Sequence, residues 1–318
     1  MTATPTPGAG PVSNRGSAAD PDPGLGGGPG QTPPALAEPL QVAVHDAVAS
    51  ALAEDVGALG DITSALLEPG APPVEAVLVA RQAGVLAGRL PAEEAFGQVG
   101  GGVTVAWAAD DGDELVPGRP FATIRGPLAP VLTAERTALN FLGHLSGIAT
   151  LTRRFVDAAR SASPTVAIRD TRKTTPGLRA LEKAAVVAGG GRNHRWSLSD
   201  AVLLKDNHLA LLTVAGGVAA ARQRWPGRAV EVECDTPEQC DEAVAAGVDA
   251  VLLDNMTPAE VAECVARVGG ALLVEVSGGI TLDDVAAYAA TGVAAIAVGA
   301  LTHSAPALDI GLDVSGGA

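Results

Sequence analysis

The feature that most limits what this chain can fold into is a repeat in its C-terminal half. Four short apolar runs, AVEVEC, AVLLDN, LLVEVSGG and VAAIAVGA, begin about every 21 residues. The stretches between them, PEQCDEAVAAG, PAEVAECVARVGG and TLDDVAAYAATG, place apolar residues at helical spacing and end in glycine. A strand and a three-turn helix fill such a period, and successive strands then run parallel with the helices as crossovers. Two earlier runs, TVAIRD and AVLLKDN, have the same character, and DAVLLKDN is echoed in DAVLLDNM. Six similar units predict an α/β barrel.

The N-terminal half has a different texture. ALAEPLQVAVHDAVASALAEDVG has helical periodicity, and GDITSALLEPGAPP reads as a turn-rich connection. VEAVLVARQAGVLAG and VTVAWAADDGDELVPGRPFATIRGP are β-rich stretches broken by glycine, proline and Asp-Gly, with a short helix over PAEEAFGQVG between them. A long helical pattern, VLTAERTALNFLGHLSGIATLTRRFVDAARSA, is apolar around most of its circumference and is interrupted by Gly143 and Gly147. Such a helix is buried within the chain or against a partner. The expected organisation is a disordered Pro/Gly/Ala/Thr tail over 1–34, an α+β domain over 35–145, and an α/β barrel over 146–318.

The net charge of −15 argues against nucleic acid and polybasic membrane contact. No apolar run approaches the roughly 20 residues that span a bilayer. The N-terminus lacks the pattern of a signal or transit peptide, so the expected location is the cytoplasm. Three cysteines, Cys234, Cys240 and Cys264, are odd in number and lack Cys-x-x-Cys spacing, which fits buried free thiols in a reducing compartment.

In an α/β barrel the residues at the C-terminal ends of the strands line the site. Here those ends carry Arg169 to Lys173, Lys205 to Asn207, Glu233, Asp254 with Asn255, Ser277 to Gly279, and Gly299. Between Arg169 and Lys205 there are eight Lys or Arg against three Asp or Glu, a concentrated positive region inside an acidic protein. Arg forks bind carboxylates bidentately and Lys acts as a point charge, so Arg172, Lys173, His194, Arg195 and Lys205, on strand ends or in Gly-rich loops, are candidate anion ligands. Arg179 and Lys183, in GLRALEK, are read as a solvated helix face. His45 and His303 are read as structural. In GGGRNHR the glycines let the backbone turn and aim His194 and Arg195 inward. The glycines after the last strands, Ser277-Gly278-Gly279 before a helix at Thr281, and Gly299, suit a phosphate. Glu233 and Asp254 end neighbouring strands, where carboxylates hold sugar hydroxyls or a Mg²⁺ bridging phosphates, or pair with the basic cluster.

AEDVGALGDITS, ERTALNFLGHLSGIAT, RDTRKTTPGLR, GGGRNHR, LSDAVLLKDNH, VEVE, LLDN and EVSGGI, in that order, resemble the quinolinate phosphoribosyltransferase family, also called nicotinate-nucleotide pyrophosphorylase (carboxylating). They extend over nearly all of the chain after the tail, and the resemblance implies an incomplete α/β barrel of six or seven strands, the catalytic domain, beside an N-terminal α+β sandwich-like domain with dimer-forming helices. The family pattern has a glycine near Ser197, where this chain reads Trp196-Ser197. The resemblance implies the transfer of a phosphoribosyl group from phosphoribosyl pyrophosphate to quinolinate with Mg²⁺, giving nicotinate mononucleotide, pyrophosphate and CO₂. It implies that Arg172, Arg195 and Lys205 bind quinolinate and that Thr171, Lys173 and His194 line the pocket. Glu233 and Asp254 would contact ribose and metal, the latter mainly through substrate phosphates, and Ser277, Gly278 and Gly299 the 5′-phosphate. Lys173, Lys205, Glu233 and Asp254 carry the catalytic expectation. Arg136 would reach into the neighbouring subunit's pocket of a homodimer, or of a larger oligomer built from it.

Two other readings compete. Lys205 at a strand end has the position of a Schiff-base lysine in barrel aldolases. A non-catalytic sensor of a pyridine dicarboxylate would need the cations, but not Glu233, Asp254 and the phosphate loops.

Overall fold

The computed structural model describes residues 34–67 and 72–315. The tail expected over 1–34 lies, apart from Pro34, outside them. The elements are helix α1 (Pro34–Val56), strands β1 (Val74–Ala80) and β2 (Gly84–Val85), helix α2 (Arg89–Val99), strands β3 (Thr104–Trp107), β4 (Glu114–Leu115) and β5 (Pro120–Gly126), and helix α3 (Leu128–Ala162). There follow β6 (Ala167–Arg169), α4 (Arg179–Ala188), β7 (Val202–Leu204), α5 (Asp206–Leu209), α6 (Val214–Arg224), β8 (Val230–Cys234), α7 (Pro237–Ala246), β9 (Ala250–Asp254), α8 (Pro258–Val268) and β10 (Leu273–Ser277). The chain continues with α9 (Val285–Ala289), β11 (Ala295–Ala297), α10 (Ala300–His303) and β12 (Ile310–Ser315).

The first sheet has the order β12-β1-β5-β3 and is antiparallel throughout. Ala76, Leu78 and Ala80 alternate onto its buried face, opposite Ile124 and Ala122 of β5, as a pleat with one covered side requires. Helices α2 and α3 supply the cover, and α1 packs on both of them. The GDITS turn is tied to this layer. Asp61 accepts from the Ser64 and Thr63 amides at 2.9 and 3.1 Å and from Thr133 Oγ1 of α3 at 2.9 Å. Those bonds, led by the ones from Ser64, draw its carboxyl down to about 2.

Two expectations are corrected here. The strand Ile310–Ser315 lies within the span assigned to the barrel, yet it pairs with β1 in the first sheet. The 35-residue α3 is continuous through Gly143 and Gly147, where an interruption was expected. The glycines are there because the returning chain crosses the helix. A Cβ on Gly147 would lie 2.2 Å from Pro306 O, one on Gly143 would lie 3.0 Å from Leu308 O, and the Leu308 amide donates to Gly143 O at 2.8 Å.

The second sheet is parallel, in the order β6-β11-β10-β9-β8-β7. It curls into an incomplete barrel whose outer strands β6 and β7 do not pair with each other. On the free edge of β6, Arg192 makes a single parallel bridge to Arg169, so the GGGRNHR segment stands where another strand would begin. Tight βα connections follow from local chemistry. Thr236 and Thr257 cap α7 and α8, with Gln239 and Glu260 completing capping boxes and Pro at the first turn. Gly247 and Gly269, in the left-handed region at φ 75° and 59°, stop the same helices. The helix expected at Thr281 begins only at Val285. All three cysteines are buried and free, on the helix-facing side of β8 and on α7 and α8. Burial pushes the Cys240 thiol up to about 12.

Candidate active site

Because all six strands of the second sheet run the same way, their C-terminal ends share one rim. Register sets the levels on it: Ala297 pairs with Arg169, Leu204 with Val232, and Ser277 with Asp254. Lys205, one residue beyond Leu204, is therefore level with Glu233, and the two form an ion pair between Lys205 Nζ and Glu233 Oε2. Asp254 stands half-buried at the next strand end, where its carboxylate accepts from Asn255 Nδ2 at 2.6 Å. Thr171 Oγ1 accepts from the Lys173 amide at 3.0 Å, and Thr302 Oγ1 donates to Lys173 O at 2.9 Å. That bond lays the exposed Lys173 side chain over Gly299, where a Cβ would come within 3.1 Å of Lys173 Cδ.

The GGGRNHR loop is held by charge. Asp170, fully buried, accepts from the buried Lys183 Nζ, from Asn193 Nδ2 at 2.6 Å and from the His194 amide at 2.9 Å. Lys183 Nζ also donates to His194 O at 3.1 Å and lies 5.6 Å from the Trp196 ring centroid. Burial pushes the Asp170 carboxyl up and the Lys183 ammonium down, and their mutual attraction opposes both shifts. Arg179 donates to Thr174 Oγ1, Trp196 O and Arg172 O at 3.0 to 3.3 Å. The solvated reading of Arg179 and Lys183 is thus overturned: α4 turns them inward, and they fasten the DTRKTT segment to the glycine loop. Trp196 and Ser197 fit because Asp200 takes both amides, at 2.5 and 3.1 Å, in a tight turn.

Arg172 and Arg195 meet above this scaffold. Arg195 Nη1 donates to Ala201 O at 3.1 Å, and Arg172 Nε is buried with no hydrogen bond among the described residues. Partial burial, then the neighbouring Arg172 charge, pulls the Arg195 guanidinium below its usual range. Two half-buried guanidiniums repel each other. A ligand with two negative charges removes that repulsion.

At the other end of the rim, Gly278 takes φ 106°, Gly279 62° and Asn255 56°. A Cβ on Gly278 would lie 2.4 to 2.8 Å from atoms of Asn255. This position needs glycine both for its dihedral and for its space. Gly278→Ala is expected to cost about 1–3 kcal/mol, measured as a fall in the urea unfolding midpoint; an unchanged midpoint would show that Asn255 gives way. The Thr281 amide, expected to be open to a phosphate, is taken by the Asp284 carboxylate at 2.7 Å. Anion capacity on this side therefore rests on the Ser277–Gly279 turn and on Gly299.

Sequence reasoning missed a layer beneath the rim. Arg169 Nη1 donates to Glu275 Oε2 at 2.5 Å. His194 Nε2 lies 3.3 Å from Glu231 Oε2 and 3.7 Å from Glu275 Oε1. Glu231 and Glu275 are buried. The available signal was a glutamate inside a run that reads as a strand covered on both sides, in VEVEC and in LVEVS, because such strands are otherwise apolar. His45, paired with Glu94 at 2.8 Å, and His303, exposed beside Ser304, stand apart from this layer. Arg136 is exposed on α3 and makes no ion pair among the described residues.

The chain matches two family models, described as "Quinolinate phosphoribosyl transferase, N-terminal domain" over residues 61–146 and "C-terminal domain" over residues 148–313. It is 44% identical to a Mycobacterium leprae protein described as "Nicotinate-nucleotide pyrophosphorylase [carboxylating]", covering 86% of this chain and 97% of that one. It is 43% identical to a "Probable nicotinate-nucleotide pyrophosphorylase [carboxylating]" of Bacillus subtilis, covering 82% and 90%. The solved structure of a Francisella tularensis nicotinate-nucleotide pyrophosphorylase superposes with a TM-score of 0.83 at 36% identity, covering 86% and 97%.

Proposed function

The chain belongs to the quinolinate phosphoribosyltransferase family, and from that premise we propose that it transfers the phosphoribosyl group of phosphoribosyl pyrophosphate to quinolinate, releasing pyrophosphate and CO₂ and leaving nicotinate mononucleotide for NAD biosynthesis. The single observation that carries the substrate is the pair of half-buried guanidiniums, Arg172 and Arg195, close enough for one charge to act on the other, on the same rim of strand ends as Lys205.

The chemistry asks for positioning and electrostatics more than for proton transfer. Arg172, Arg195 and Lys205 hold the two carboxylates and orient the ring nitrogen toward the anomeric carbon, with Thr171, Lys173 and His194 around them. The C–O bond to pyrophosphate loosens as the ring nitrogen approaches. The positive pyridinium then stabilises the electron pair left at C2 as CO₂ departs, and C2 is protonated. On the sugar side Asp254 and Glu233 face the ribose hydroxyls, and Ser277, Gly278 and Gly299 the 5′-phosphate. Lys205 links the halves, since on quinolinate binding it exchanges Glu233 for a substrate carboxylate.

Glu233 and Asp254 are hard oxygen donors on adjacent strand ends, a set that fits Mg²⁺. With Lys205 already on Glu233, Asp254 is the freer of the two, which supports a metal held mainly by substrate phosphates. Bound there, Mg²⁺ would neutralise charge on the leaving pyrophosphate. The exposed Arg136 supports a homodimer in which each α3 lends it to the partner's site, and larger assemblies would be built from that dimer. No helix among the described residues is long and apolar enough to cross a membrane, and the free thiols suit a cytoplasmic enzyme.

Turnover with quinolinate and with nicotinate, each with phosphoribosyl pyrophosphate, tests the reading. Stoichiometric CO₂ from quinolinate and no comparable nucleotide formation from nicotinate are expected. Equal use of nicotinate would overturn it. So would borohydride trapping of Lys205 with a carbonyl substrate, which the aldolase reading requires.

A further inference from the structure

In the layer of buried charge beneath the rim, Glu231 and Glu275 have no part in the chemistry above. Glu231 and Glu275 project from β8 and β10 into the barrel interior, both buried, with Arg169 on Glu275. The His194 ring stands over both, its side chain only 11% exposed, with Nε2 at 3.3 Å from Glu231 and 3.7 Å from Glu275. The remaining ring atom decides the state of this histidine. The Arg195 backbone amide donates to His194 Nδ1 at 2.7 Å, which makes Nδ1 the acceptor and leaves Nε2 as the nitrogen to carry the ring proton.

His194, Glu231 and Glu275 donors lie within 4.8 Å of one another, the spacing of a small cation site. The Arg195 bond argues against that use. A ring whose Nδ1 accepts a hydrogen bond keeps its proton on Nε2, and a protonated Nε2 is a donor and not a ligand. Glu231 Oε1 and Glu275 Oε1 are buried without a hydrogen-bond partner among the described residues. Glu231 Oε2 and Glu275 Oε1 both face Nε2, so the negative charge of the pair favours a proton on that atom.

We propose that Glu231 and Glu275 are positioning residues for the transferase reaction: they hold the His194 imidazole as its Nε2–H tautomer, and through Nδ1 that ring sets the backbone of Arg195. The chain of contact is short. Buried carboxylates fix the ring, the ring fixes one amide, and that amide belongs to the residue whose guanidinium stands beside Arg172. A rotated or differently protonated His194 would lose the 2.7 Å bond and let Arg195 swing within its glycine loop. The inference rests on the assignment of Arg195 to a quinolinate carboxylate.

Nitrogen-15 NMR of the full-length protein at neutral pH, with histidine labelled and His194 assigned by its loss in His194→Asn, reads the tautomer without substrate. A neutral Nε2–H signature is expected. A Nδ1–H signature, or a His194 signal shifted by added zinc chloride, would overturn the proposal. In kinetics, Glu231→Leu should raise the quinolinate KM about tenfold and leave kcat and the phosphoribosyl pyrophosphate KM within about twofold. Glu231→Gln, which keeps an acceptor oxygen, should restore most of the loss. An unchanged quinolinate KM in a folded Glu231→Leu protein would also overturn the proposal. If Glu231→Leu does not fold, the wild-type tautomer and the Glu231→Gln KM decide. A wild-type protein that fails to use quinolinate would sink the substrate assignment while leaving the tautomer reading intact.

Discussion

Replacing Lys183 by methionine is expected to destabilise the protein by about 3–5 kcal/mol, the range for breaking a buried ion pair by removing one partner. Lys183 and Asp170 are both fully buried, and the ammonium also donates to His194 O at 3.1 Å. Methionine fills the space of the side-chain stem but leaves the Asp170 carboxylate with only the Asn193 side chain and the His194 amide as donors. Two neutral donors in a low dielectric do not offset a stranded charge. Urea unfolding of the single variants and of Lys183→Met with Asp170→Asn checks this. The double variant should recover part of the loss, because it removes the unpaired charge as well. A cost below about 1 kcal/mol in Lys183→Met would mean that the pair is already neutral in the folded state. Because the same contacts anchor Asn193 and His194, the surviving folded fraction should also bind quinolinate more weakly.

Arg172→Ala should lower kcat/KM for quinolinate by about 10²–10³-fold, the effect of truncating one partner of a desolvated, hydrogen-bonded charge pair. Arg172 stands close enough to Arg195 for its charge to disturb that neighbour's ionisation. Its own Nε has no hydrogen-bond partner among the described residues to lose. The variant should therefore fold normally, with its deficit confined to the substrate. Arg172→Lys should recover little, since a point charge cannot replace a bidentate fork. Asp254→Ala should act instead on the KM for phosphoribosyl pyrophosphate. Steady-state kinetics with each substrate varied in turn separates the two halves. Wild-type kinetics in Arg172→Ala would remove the central support for the dicarboxylate.

Much of this protein is legible in local pattern. The period near 21 residues, the Thr-Pro starts and glycine stops of α7 and α8, and the polar residues closing each apolar run specify six parallel strands and one functional rim. Thr171, Arg172, Lys173, Lys205, Glu233, Asp254, Ser277, Gly278 and Gly299 could be placed on that rim in advance because a parallel strand's C-terminal end has one place to go. The roles of Arg179 and Lys183 were not legible. They stand at i and i+4 on a helix that exposes Val187, and only the path of the glycine loop shows that their side is the covered one.

Sequence alone determined the repeating unit, the parallel sense of the sheet and the residue types on its rim, since capping, periodicity and turn chemistry act over a few residues. Tertiary structure alone decided that β12 returns to the first sheet across Gly143 and Gly147. It also decided that Lys183 is buried against Asp170, and that Glu231 and Glu275 meet His194 beneath the site. Arg169 and Glu275 are 106 residues apart along the chain. Whether such charges pair depends on strand order, register and side-chain parity across the whole sheet, and these are set when the six units close around a common interior.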